Sequence, residues 1–466
     1  MLDFTALAEA QKENYLHDLM DLIKIKSVHD DALVSEEYPV SPGPTQALLA
    51  FLEMAEQDGF RVKNIDNVVG YAEIGEGEET LAILAHLDVM PAGNGWDTDP
   101  FDPVIKDGNI YGRGASDDKG PGLAAYYALK ALKDQGVEFK QRIRFIVGTD
   151  EERDWYGMQR YFEVEPAPTY GFSPDAEFPV INGEKGMVSL AINGQGDQTG
   201  ALQLVSFKAG LRFNMVPREA TAVLTGVDVS ELTQALTKFM ATNPVTGEVK
   251  ETGDTITVEL IGKAAHGAEP ELGINAGTYL AKFLQPLAFT DHARQFIDFV
   301  ADKLHLDTRV HNFAADFTDE VMGDMTMNAG IIEFDQATGT NIDMNFRFPK
   351  GITVDEITAG IADDAAEYDL TATPGEFKNP HYVDPSDPIV EVLMDAYRHQ
   401  TGDETAQPMV VGGGTYGRLM ERGVAFGALM PGTPNVMHQA NEYQPVNQLI
   451  QAIAIYMEAI YTLAAK

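Results

Sequence analysis

The 466-residue chain contains no cysteine. Disulfides, thiolate metal sites and cysteine nucleophiles are therefore excluded. Basic residues are scarce: 33 Lys and Arg stand against 72 Asp and Glu, a formal net charge of −39. A chain this acidic repels phosphate backbones and anionic lipid, so neither nucleic acid nor a membrane is expected as a partner. The acid is spread along the chain and forms no tail, and its plain reading is solubility. Runs of about 18 or more apolar residues are missing, so no membrane span is expected. The opening MLDFTALAEAQKENYLHDLMDLI lacks a basic leader followed by an unbroken apolar core and does not read as a secretory signal. Leu16, Leu19, Met20, Leu22 and Ile23 instead mark an amphipathic first helix. Short-period repeats and low-complexity tracts are also lacking. A cytoplasmic enzyme is the simplest expectation.

What is present suits a globular protein: 44% of residues are hydrophobic. Single cores stop growing at about 250–300 residues, so this length implies two domains. The first stretch alternates helix and strand. Residues 12–27 and 44–58 read as helices, 81–88 (LAILAHLD) as a buried strand, 121–136 as a helix and 142–149 (RIRFIVGT) as a strand. Such alternation predicts an α/β sheet, mixed and largely parallel. Near residue 184 the texture changes. Residues 186–194, 202–210 and 255–268 read as strands or a strand entering a turn, and 229–243 as a helix. In 340–348, Ile342, Met344, Phe346 and Phe348 alternate with Asp343, Asn345 and Arg347, the pattern of a strand with one polar face. A helix capped by Thr353 follows over 353–369. These pieces suit an α+β layer. FKNPHYVDPSDP (377–388) reads as a boundary, followed by a helix (389–401), the glycine-rich VVGGGTYGR (410–418) and a final helix from about 446. The expected fold is a two-domain α/β protein whose middle segment is inserted into a discontinuous first domain.

The residues with chemical potential gather at the ends of the expected strands. LAHLDV puts His86 and Asp88 on one strand face, as a structural pair or as a metal ligand with the acceptor that fixes its tautomer. In YGRGASDDKGPG, Asp117 and Asp118 share a tight turn before a helix. Helix capping accounts for one aspartate; two adjacent carboxylates call for a cation or hydrogen bonds. FIVGTDEERDW ends in Asp150, Glu151 and Glu152, which suit either a solvated loop or a metal ligand beside a proton-transfer group. Asp175 lies in a proline-flanked turn, and His438 in PGTPNVMHQANEY. Each has a bland turn reading on its own. Together, two His and several carboxylates suit Zn²⁺, which takes N and O ligands and keeps open positions when catalytic. A two-metal site needs a bridging ligand, and a carboxylate serves.

In order and spacing, the segments HLDV, GRGASDDKG, GTDEE, SPDAEFP and the late His438 resemble the zinc-dependent family of aminoacylases, deacylases and carboxypeptidases, and within it the PepV-type dipeptidases of bacteria. The resemblance spans nearly the whole chain and implies a site of two Zn²⁺, with Co²⁺ or Mn²⁺ as substitutes. Asp117 would bridge, His86 and Asp175 would complete one metal site, and Glu152 and His438 the other. Glu151 would be the general base and Asp88 would orient His86. The peptide Asp117–Asp118 would be cis. The family inserts a lid between its fourth and fifth ligands, which corresponds here to residues 185–378, leaving 1–184 and 379–466 as the catalytic domain. From the lid, His266 in AAHGA would polarise the scissile carbonyl. Asn214 and Arg347 would grip the substrate carboxylate, since an arginine fork binds a carboxylate through two parallel hydrogen bonds. Gly413, Gly414 and Thr415 would add backbone donors. Without the resemblance, Arg347 reads as a surface arginine.

The resemblance implies a dipeptidase acting on short unblocked peptides. An N-acyl-amino-acid deacylase or an aminoacyl carboxypeptidase would share its site chemistry. A non-catalytic binding protein reusing the fold, or a metal-stabilised structural protein, are readings from other classes. Many relatives form homodimers through the lid; the length of the insertion here favours a monomer.

Overall fold

The computed structural model describes residues 2–465 and divides into two compact units. The first comprises residues up to Gly183 and from Tyr382 onward; the second runs from Glu184 to His381. The first unit is thus discontinuous in sequence, and the second is inserted into it.

The first unit is an α/β layer around a nine-stranded mixed sheet. Its elements include α1 (Phe4–Lys24), α2 (Pro42–Gln57), β1 (Arg61–Ile65), β2 (Val69–Ile74), β3 (Thr80–His86), α3 (Lys119–Asp134), β4 (Arg142–Gly148) and β5 (Tyr170–Ser173). The sheet runs β1-β2-β4-β3-β5, then continues through Gly423–Ala425, Ile181–Glu184 and His381–Tyr382, with Met409–Val411 as a ninth strand paired to Ile181–Glu184. Its centre is parallel: β3 pairs with β4 on one side and with β5 on the other, and β5 pairs with Gly423–Ala425. Every residue of β3 is buried, which is why LAILAH is an unbroken apolar run; a strand covered on both faces has no polar side to show. α1, α3, and the helices Pro388–Thr401 and Val446–Ala464 pack into the larger core of this unit.

α3 enters its core through glycine. A Cβ at Gly120 would meet the Ala115 carbonyl oxygen at 2.1 Å, and one at Gly122 would meet the Ala85 side chain at 2.9 Å. The helix start therefore lies close against the end of β3, a backbone approach that only glycine permits.

The inserted unit is α+β. Its eight-stranded antiparallel sheet is built from β6 (Gly186–Gly194), β7 (Gln203–Ala209), β8 (Glu219–Thr225), β9 (Thr246–Thr252), β10 (Thr255–Ile261), β11 (Thr326–Asp335), β12 (Gly339–Phe348) and β13 (Thr371–Lys378), in the order β9-β10-β8-β7-β11-β12-β6-β13. Ile342, Met344, Phe346 and Phe348 of β12 are buried in the core of this unit, as their alternation predicts. The opposite face is half-buried at Asn341 and Asp343 and covered toward its end. Asn345 is 3% and Arg347 6% exposed, so Arg347 is no surface arginine. The helix Val354–Ala366 begins with a capping box in which Thr353 and Glu356 satisfy each other's end of the first turn. Among the described residues, no helix is long and apolar enough to cross a membrane.

Candidate metal centre

Three parallel strands end at one place, and their C-terminal ends supply the chemistry, where ligands bind in open α/β sheets. His86 is the last residue of β3. Glu151 and Glu152 follow β4, and Asp175 follows β5. Asp117 precedes α3, and His438 comes from the loop before the final helix.

Their side chains converge. His86 Nε2 lies 3.0 Å from Asp117 Oδ1 and 3.5 Å from Asp175 Oδ2. His438 Nε2 lies 2.7 Å from Asp117 Oδ2 and 3.0 Å from Glu152 Oε1. Asp117 thus offers one oxygen to a His86–Asp175 pair and the other to a His438–Glu152 pair. Potential ligand atoms of His86, Asp117 and Glu152 lie within 4.8 Å of one another, as do those of His86, Glu151 and Asp175. The peptide joining Asp117 to Asp118 is cis.

The imidazole of His86 is oriented by backbone. Its Nδ1 lies 3.0 Å from the Asp88 carbonyl oxygen and 3.4 Å from the Asp88 carboxylate. An Nδ1–H donating to that carbonyl leaves Nε2 as the nitrogen that faces the carboxylates. The Asp88 carboxylate works in the other direction. Its two oxygens accept the backbone N–H groups of Glu151 and Glu152 at 3.0 and 3.1 Å, fixing the turn that presents both glutamates. The Glu151 carbonyl accepts from Trp155 Nε1 at 2.7 Å. Both backbone polar groups of Glu151 are therefore committed.

Two residues to which the sequence assigns no role complete the support. Asp118, fully buried, accepts the His86 N–H on Oδ2 at 3.1 Å. Glu442, also fully buried, gathers the glycine-rich turn around one carboxylate: Oε1 accepts from the N–H of Gly114, Ser116 and Asp117, at 3.0, 2.9 and 3.3 Å, while Oε2 meets Arg113 Nη1 at 2.5 Å. Gly112 adds an N–H to the Glu442 carbonyl. Lys119 donates to the carbonyls of Leu22 and Ile25 and so ties the same turn to the end of α1. The only sequence signal for Glu442 is indirect: a turn with so many inward N–H groups must find an acceptor somewhere. Removing a buried charge from such a pair strands its partner, so Glu442→Ala is expected to cost about 3–5 kcal/mol of stability, with Glu442→Gln milder. Urea unfolding of both variants measures this; an unchanged midpoint for Glu442→Ala would refute it.

The electrostatics reflect acidic groups held together away from water. Burial and then the charge of Asp117 push Glu152 up to about 7 and Asp175 up to about 6. Burial and the Asp175 charge raise Glu151 well above the usual carboxylate range. Burial would lower His438, but its hydrogen bonds to Asp117 and Glu152 outweigh this and raise it to about 11. Asp117 goes the other way: burial opposes its charge, yet the two imidazoles hold its carboxyl well below the usual range. In the bare protein the imidazole protons do the neutralising. A divalent cation would do the same with full coordination, and this mixture of N and O donors fits zinc by ligand type.

The remaining expected residues are divided between the two units. Gly413, Gly414 and Thr415 follow the strand Met409–Val411 in the first unit, where Thr415 Oγ1 accepts from the Gly417 N–H. Next to them, the Tyr416 ring stands edge-on to His86, 6.4 Å between centroids. Asn214, His266 and Arg347 belong to the inserted unit. There the Asn214 carbonyl accepts from the Gly267 N–H at 2.8 Å, so Asn214 and His266 are neighbours. His266 Nδ1 accepts from the Ala268 N–H at 3.2 Å, which places the proton of the neutral ring on Nε2.

Residues 82–462 match Peptidase family M20/M25/M40. The chain is 42% identical over 456 residues to a provisionally named dipeptidase of Staphylococcus haemolyticus (strain JCSC1435), covering 97% of each. Among solved structures, it is similar to human carnosine dipeptidase 1, with a TM-score of 0.57, 15% identity and coverage of 98% of this chain and 97% of the other. A tripeptidase from Staphylococcus aureus subsp. aureus Mu50 matches with a TM-score of 0.56 at 16% identity, covering 97% and 98%.

Proposed function

Because the chain belongs to the M20/M25/M40 peptidase family and is a peptidase, we propose that it is a dinuclear zinc dipeptidase, acting in the cytoplasm on unblocked dipeptides. The observation that carries this reading is the division of the Asp117 carboxylate between two His–carboxylate pairs. His86 and Asp175 would hold one ion, His438 and Glu152 the other, with Asp117 shared. When bound, the ions would supply Lewis acidity toward a carbonyl and a lowered pKa for attacking water.

The chain's own residues divide the remaining work. Glu151 accepts the proton of the attacking water and returns it to the leaving amine, a role served by a carboxyl whose pKa is raised by burial. Asp88 holds the Glu151 backbone so that this side chain stays beside the ligands. The inserted unit acts as the lid. Its His266 donates Nε2–H to the scissile carbonyl oxygen, and Arg347 and Asn214 hold the substrate carboxylate. Arg347 suits that task because a guanidinium fork buried on a strand face is strongest when paired with a carboxylate. The names of the relatives at about 40% identity support a dipeptide rather than an N-acyl amino acid as substrate.

The test is hydrolysis of a panel of free dipeptides beside their N-acetyl and N-succinyl counterparts, before and after chelation and zinc return. Zinc-restored cleavage of free dipeptides, lost on N-acylation, is the expected result. Cleavage of N-acyl substrates alone would move the assignment to a deacylase. No turnover of either class with zinc bound would remove the catalytic reading.

A further inference from the structure

The segment that carries Asn214 is not a loose loop. Three successive carbonyls are pinned. The Asn328 Nδ2 group donates to Phe213 O and to Met215 O, both at 3.0 Å. Between them, Asn214 O accepts from the Gly267 N–H, and the Val216 N–H donates to Ala265 O at 2.9 Å, so the ladder reaches both sides of His266. Asn328 is 2% exposed, and its amide nitrogen has two hydrogens for two carbonyls. Its orientation is dictated, because an oxygen turned the same way would face two carbonyl oxygens.

The surrounding backbone is shaped to seat this segment. A Cβ at Gly330 would meet Phe213 O at 2.2 Å, and one at Gly267 would meet Asn214 C and O at 2.9 Å. Gly330 lies where the pairing of β11 with β12 slips register. Along the same strand pair, Asn328 lies opposite Asn345, and Thr326 opposite Arg347, so Asn328 and Arg347 share a sheet face.

From this we infer that Asn328 is a positioning residue, which sets Asn214 and His266 in register with Arg347 by clamping the carbonyls on either side of Asn214. The inference rests on the proposed roles of Asn214 and His266. Asn328→Leu keeps the volume and removes both donors, leaving two carbonyls without their partner. A displacement of about 1 Å at a positioned group costs up to about 100-fold in rate, so kcat/KM for a dipeptide should fall by about 10- to 100-fold. Gly330→Ala, which crowds Phe213 O without removing a donor, should act in the same direction.

The experiment is a cycle of Asn328→Leu in the zinc-loaded wild-type protein and in the Asn214→Ala/His266→Ala variant. Amide exchange at Val216 and Gly267 is followed in parallel. Gln198→Leu is the control: Gln198 also clamps a backbone segment of the inserted unit, at Leu204. The proposal expects a large loss in the wild type and about twofold or less in the double variant, faster exchange at both amides, and no activity loss for Gln198→Leu. Equal losses in both backgrounds, a matching loss in Gln198→Leu, or unchanged exchange would overturn it. If the double variant is impaired but Asn328→Leu is not, the positioning role alone fails. If the double variant is fully active, the roles of Asn214 and His266 fail first, and the positioning role with them.

Discussion

Glu151→Gln is expected to lower kcat by about 10²- to 10⁴-fold while leaving the metal content and the thermal midpoint nearly unchanged. The side chain keeps its shape and loses only its ability to take a proton. Its backbone anchors, the Asp88 carboxylate and the Trp155 indole, do not involve the carboxyl that is changed. Burial and the neighbouring Asp175 raise the Glu151 pKa, and the variant removes that acidic group from a cluster of like charges; stability should therefore hold or rise slightly. Steady-state kinetics on a free dipeptide, with zinc counted by elemental analysis, tests this. A variant with full zinc and a kcat within a factor of about three of wild type would assign proton transfer to another group.

Metal removal should abolish turnover and also make stability depend on pH with a fixed sign. Glu152 and Asp175 have folded pKa values of about 7 and about 6, above their ordinary values of 4.5 and 3.8. Between the ordinary and the raised value the folded chain holds a proton that the unfolded chain has released. Stability therefore falls as pH rises through that window. His438, raised to about 11, contributes stability that is complete below its ordinary 6.5 and is lost as pH rises toward 11, in the same direction. Among the candidate ligands Asp117 runs the other way, in the acid range below 3.8, and away from them His305, lowered to about 4 by burial, opposes the trend between about 4 and 6.5. The chelated protein should accordingly melt at lower temperature at about pH 7.5 than at about pH 5. Zinc takes the place of those protons, so its return should flatten this dependence, and zinc affinity should rise with pH as protons are released. Thermal unfolding of chelated and zinc-restored samples across this range is the measurement. A chelated protein that melts higher as pH rises, or that still hydrolyses dipeptides, would contradict the argument.

Much of the metal centre and of the first unit is legible along the chain. His86, Asp117, Glu152, Asp175 and His438 each have an ordinary explanation, as a structural pair, a helix cap, a solvated loop or a turn, and what sets them apart is their order and spacing along the chain. The mixed sheet is legible because β3 and β4 are short apolar runs with a helical pattern between them. Less of the inserted unit is legible over residues 269–339. The helices Ala276–Leu284 and Asp291–Phe299 are only nine residues each, too short for a firm periodic signal. The first five residues of β11 are all buried, so its alternation is hidden. The polar face of β12 follows its sequence pattern but not the setting that the pattern suggests, because alternation reports which residues share a face and not whether that face is covered.

The sequence by itself determined the chemistry that is excluded, the alternation of strand and helix in the first unit, and the kinds of donor that the motifs offer. These depend on composition, local periodicity and motif order, all of which are written along the chain. Only the tertiary structure decided that Asp117 faces two histidines with different oxygens, that the Asp88 carboxylate serves the glutamates while its carbonyl serves His86, and that the side chains of Glu442 and Asn328 hold backbone from 325–328 and 113–115 residues away. The physical reason is that a hydrogen bond needs a donor and an acceptor within about 3 Å and at a suitable angle, and no local pattern in the sequence says which distant pair the fold brings to that distance.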